Sequence, residues 1–195
     1  LERAKNLINQ AGFSTSISER KRMVSEATKL LDHSLELAPD DAEIFDLQQA
    51  ASTDLAHLTT AEGQLLEARK LLNANTDSER RQAKELLSAL REYNQDPVYR
   101  QMVANLQRQF LDEAEIALRD RRLRDAESWI TACKGEPFRI MGRSEEVWKL
   151  EQDYKNARRA PIIRYSLLGA GILLLLVIFF TLGYPRIIAA IAPTA

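Results

Sequence analysis

An all-α fold is predicted from three observations. Apolar residues recur at three- and four-residue spacing in one segment after another, with capping residues and prolines between segments. Alternation of apolar and polar residues is absent, and Val and Thr are sparse, so no strand is expected. Residues 165–184, YSLLGAGILLLLVIFFTLGY, carry no charge over a helical length of about 30 Å, the depth of a bilayer's hydrocarbon core. The expected architecture is about seven helices followed by one transmembrane helix.

The first helix has apolar residues at Leu1, Ala4, Leu7 and Ile8, with Gly12 as its stop. Ile17 to Ala38 follows, carrying Met23, Ala27, Leu30, Leu31, Ser34 and Leu37 on its main stripe and ending against Pro39. Val24 and Leu35 fall off that stripe, so this helix is expected to pack against two neighbours. From Ala42 to Asn73 one heptad seam can be drawn: Ile44, Ala51, Leu58, Leu65 and Leu72 at one position, and Leu47, Ala61 and Ala68 at the other. The seam favours a single long helix. The stretch Thr59-Thr60-Ala61-Glu62 has the form of a capping box and Gly63 weakens the middle, so a break near Thr59 stays open.

The Asn75-Thr76-Asp77 stretch caps a helix from Ser78 to about Tyr93, which Asp96-Pro97 ends. Val98 to Arg119 follows, with Met102, Val103, Leu106, Phe110, Ala114 and Leu118 facing inward. Leu123 to Lys134 is shorter, stopped by Gly135 and Pro137. Ser144 caps a last helix whose stripe is Val147, Leu150, Tyr154 and Ala157, and Pro161 marks a hinge or the first turn of the membrane helix.

Glu26-Ala27, Leu31, Ser34 and Pro39, followed by Asp40-Asp41-Ala42-Glu43 and Phe45, resemble the second helix of a tetratricopeptide repeat running into the first helix of the next. Weaker echoes are Ala83, Leu87, Leu90 and Pro97, and Leu123, Asp125-Ala126, Ile130, Cys133 and Pro137. The resemblance implies an irregular helical-hairpin solenoid, because the echoing alanines are not at the family's 34-residue spacing. It also implies a surface that holds a segment of a partner protein.

Lys155, Arg158, Arg159 and Arg164 precede the uncharged run and only Arg186 follows it, which places the large domain on the cytoplasmic side. The chain divides into a helical domain (1–157), a basic juxtamembrane hinge (158–164), a single-pass membrane helix (165–184) and a short apolar tail (185–195). The segment is read as a tail anchor on the condition that the chain begins near Leu1, which is not Met. Arg158, Arg159 and Arg164 are expected at lipid head groups, with Tyr165 and Tyr184 as aromatic anchors at the two interfaces. Ser166, Gly169 and Ala170 thin one half of the helix, as residues of helix–helix contacts in membranes do.

Composition argues against several chemistries. A formal charge of −1 is no nucleic-acid footprint. His33 and His57 have no second ligand at metal-binding spacing, and Cys133, at a small-residue position of a hairpin, reads as a buried thiol. The Arg119, Arg121, Arg122 and Arg124 cluster reads as a solvated turn in which Asp120 and Asp125 balance half the charge. No phosphate-cradling loop or Ser–His–Asp pattern appears, so no catalytic residue and no cofactor is nominated. The expected role is a non-enzymatic membrane-anchored adaptor that binds a partner protein. The alternatives are the stalk and anchor of a signalling enzyme, a kinase or phosphatase preceding Leu1, and a structural subunit of a membrane complex.

Overall fold

Helix boundaries in this chain are set by short polar side chains that take up orphan amides. The computed structural model describes residues 1–74, 76–141 and 144–178, with the side chains of 141, 160–170 and 175–178 left aside. Its α-helices are α1 (Glu2–Phe13), α2 (Ile17–Leu37), α3 (Ala42–Ala74), α4 (Asp77–Ala89), α5 (Pro97–Arg119), α6 (Leu123–Ala132) and α7 (Glu145–Ile178). Two 3-10 turns, Arg91–Tyr93 and Phe138–Met141, complete the described secondary structure, which contains no strand. Ser16 caps α2 through the Glu19 amide, Asp41 caps α3 through the Glu43 and Ile44 amides, and Thr76 caps α4 through the Glu79 amide. Ser144 Oγ accepts from the Val147 amide at the start of α7, as the sequence predicts.

Consecutive helices pack on one another, from α1 on α2 through to α6 on α7. α2 lies between α1 and α3, which explains its two apolar sides: Val24 and Leu31 are both buried. The α2–α3 pair is antiparallel, joined by Gln48 to Asp32 (2.9 Å) near the turn and by Lys21 to Glu62 (2.6 Å) further along.

α3 is continuous over 33 residues, so the break near Thr59 does not occur. Its buried row is Ile44, Ala51, Leu58, Ala61, Leu65, Ala68 and Leu72, the predicted seam except for Leu47, which is half-buried. Thr60 instead turns its hydroxyl back onto the Ala56 carbonyl (3.0 Å), a bond that suits mid-helix rather than a cap. α2 runs along α3 from Gln48 to Glu62, α4 packs on α3 as well, and Gln109 of α5 reaches the Leu72 carbonyl (3.5 Å) near its end.

The core of the second half gathers around α5. Tyr99, Val103, Leu106, Phe110 and Ala114 are fully buried there, and the Phe110 ring lies 5.0 Å from Trp129 and 5.7 Å from Phe138. Leu118, expected inward, is only half-buried, because the closing turn puts Ala117 under the core instead. The expected 78–93 helix ends at Ala89 and tightens into the first 3-10 turn, whose Tyr93 carbonyl then accepts from the Asp96 amide.

The last helix differs most from expectation. A hinge or a first turn is expected at Pro161, whereas the helical backbone of α7 runs through it from Glu145 to Ile178. An interior proline removes one amide donor and crowds one carbonyl, and here each flank is long enough to stay helical across that gap. Among the described residues no helix is long and apolar enough to cross a membrane. The described part of the uncharged run stops at Ile178, and Tyr184 and the 185–195 tail lie outside it.

Candidate groove between the last two helices

Of the residues nominated for the membrane side, Tyr184 lies outside the described residues and the others belong to α7. Arg158 and Arg159 are exposed on α7. Arg164, Tyr165, Ser166, Gly169 and Ala170 belong to the α7 backbone, their side chains outside the described ones. Further along, Ile172, Leu173 and Leu174 are 59%, 66% and 61% exposed. Three successive positions span most of a helical turn, so no single neighbour within the domain covers this part of α7.

Nearer the domain, α7 packs on α5 and α6 through Val147, Leu150 and Tyr154. Glu151, Tyr154, Lys155 and Arg158 sit at successive three- and four-residue steps and so share a face, turned toward α6. Between the helices lies a cleft of about 460 Å³ walled by these side chains together with Glu127 and Lys134. A second cleft of about 310 Å³ adjoins it beyond Lys134 and Glu151, lined by Cys133, Phe138 and Trp148.

Glu151 organises the cations. Its carboxylate accepts from Lys134 at 3.0 Å and Lys155 at 3.1 Å, and those two bonds hold its pKa below the usual carboxylate value. It therefore stays charged and fixes two ammonium groups, one on α7 and one in the turn after α6. Tyr154 is hydrogen-bonded to Glu127, which raises the phenol's pKa, while the adjacent Arg158 acts in the opposite sense. Around the larger cleft stand four cations and two carboxylates, so the positive charge is only half neutralised. Sequence reading identified Arg158 and Arg159 but missed Lys134, which comes from the turn after a different helix. No spacing rule connects positions 134 and 158.

The other candidates do not line the larger cleft. Arg122 pairs with Asp125 (3.0 Å) and Asp120 (3.4 Å), and these two carboxylates balance half of the four-arginine cluster. Burial pushes the Cys133 thiol up to about 12, which leaves it protonated at neutral pH. Exposed His33 contacts Glu36 at 3.2 Å, and among the described residues no group of three or more metal-ligating side chains occurs. In comparisons with known proteins, no family model, no curated protein and no solved structure matches this chain.

Proposed function

We propose that the chain is a membrane-anchored helical scaffold, a hairpin stack of tetratricopeptide type that holds a partner protein at the cytoplasmic face of a membrane. The observation that carries this reading is the last helix: it leaves the domain and continues into an uncharged run whose Ile172, Leu173 and Leu174 are exposed to a surrounding the domain does not supply. The hairpin stack is supported by sequential packing and by the small residues of the three echoes. Ala27, Ala83 and Ala126 are all fully buried, as close helix pairing requires. Function is then geometric, since anchoring raises a partner's effective concentration at the surface.

The test is synthesis of the full chain in the presence of phosphatidylcholine vesicles, followed by extraction at alkaline pH and protease digestion. Anchored chain stays with the vesicles while protease removes the helical domain from outside. A chain ending at Arg159 should remain in the supernatant. Recovery of the full chain in the supernatant would end the anchor reading.

A further inference from the structure

The cleft between α6 and α7 has a property that a basic juxtamembrane stretch alone lacks: its cations converge from two directions. Lys155 and Arg158 come from α7, whereas Lys134 comes from the turn after α6 and is held in place by Glu151. A stripe of charges along one helix responds to the average potential of an anionic leaflet. Cations fixed around a volume select instead a compact group bearing more than one negative charge.

Height above the bilayer narrows the choice. If the apolar run begins at Tyr165, Arg158 stands about 10 Å and Lys155 about 15 Å along the helix from that boundary. The head-group layer on each side of the hydrocarbon core is only about 5–8 Å deep. The cleft therefore lies just beyond that layer, above the phosphodiesters and facing a head group that projects further. From this arrangement we infer that the α6–α7 cleft binds the phosphorylated head group of an anionic lipid, with Lys134, Lys155 and Arg158 as its cationic contacts. Glu151 keeps the two lysines in register, and Tyr154 supplies a hydroxyl on the same wall. The inference rests on the membrane-anchor reading of the preceding section.

The experiment uses the full chain in nanodiscs, with incorporation into pure phosphatidylcholine discs measured first. Discs then carry 5 mol% phosphatidylinositol 4-phosphate or enough phosphatidylserine to match its charge. Acetylation of individual lysines is followed by mass spectrometry. Exposed Lys149, on the far side of α7, is the internal control, since Lys134 and Lys155 are themselves about half exposed and reactive. With phosphatidylinositol 4-phosphate, Lys134 and Lys155 should react more slowly by roughly fivefold, the effect of one contact at an anionic surface, while Lys149 is unchanged. Phosphatidylserine should leave Lys134 unprotected, and soluble inositol 1,4-bisphosphate or inorganic phosphate at equal concentration should protect neither.

Failure to enter neutral discs would sink the anchor and this inference together. Incorporation without protection of Lys134 would sink the inference alone. Equal protection by phosphatidylserine would reduce the cleft to a general charge effect and overturn it, as would protection by the soluble phosphates, which would make it a site for a free anion.

Discussion

Four side chains carry more than their share of the fold. Asp96, 2% exposed, accepts from the Tyr99 amide (2.8 Å) at the start of α5 and from the Ile17 amide (2.8 Å) at the start of α2. One carboxylate thus satisfies orphan donors of two helices that are 79 residues apart in sequence. Arg121 closes α5 with φ 59, the left-handed position where glycine is usual, while Arg122 donates back to the Ala117 carbonyl at 2.8 Å. Because a side chain disfavours that conformation by about 1–2 kcal/mol, Arg121→Gly should stabilise the protein by about 1 kcal/mol, read as a higher urea midpoint at constant slope. No gain would mean that the turn is held by other contacts. Tyr99 and Cys133 govern the alkaline limit. Burial raises both, to about 12 from 10.0 and 9.0, so the folded protein keeps protons that the unfolded chain gives up. Their contribution is fully present below about pH 9 and is lost as pH rises toward 12. The urea midpoint should therefore fall between pH 9 and 11, and fall less in a Tyr99→Phe, Cys133→Ala double variant. Parallel profiles would assign the alkaline loss to other groups.

At the scale of elements, α3 and α7 decide the architecture. α3 persists through Gly63 because its seam of Leu58, Ala61 and Leu65 is buried on both sides of the glycine, and packing outweighs a propensity penalty of about 1 kcal/mol. A β-carbon added at Gly63 meets nothing within 4 Å. Gly63→Ala should accordingly stabilise the protein by about 0.5–1 kcal/mol in thermal or urea unfolding, and a destabilised variant would show that the helix needs freedom there. Among the described side chains of α7, those packed on the core are Val147, Leu150 and Tyr154. Its first turns pack on α5 and α6, whereas Ile172 to Leu174 are exposed, so its two parts answer to different surroundings although the backbone is one helix.

Across the whole molecule, α3 is shared by two packing groups: α1 and α2, which reach it from Glu43 to Glu62, and α4 and α5, with Gln109 reaching Leu72. Asp96 ties the groups together by joining the start of α2 to the start of α5. The two groups should then unfold as one unit. Amides in α2 and α5 should exchange with the same free energy of opening, and Asp96→Ala, expected to lose about 2–3 kcal/mol from two charge-assisted caps, should lower α2 below α5. Separate values for the two helices in the parent protein would contradict this coupling.

Much of this was legible along the chain. The helical class, the α3 seam, the Ser144 cap and the buried alanines at positions 27, 83 and 126 follow from local spacing and capping chemistry, which act within a few residues. The uncharged run after Arg164 is likewise a property of composition. Tertiary structure alone decided that Asp96 caps a helix 79 residues away, that Lys134 stands beside Lys155 and Arg158, and that α3 continues where a capping box was available. Those outcomes depend on which helices become neighbours. Neighbours are chosen by the burial of whole faces, a sum over many weak contacts that no single stretch of sequence contains.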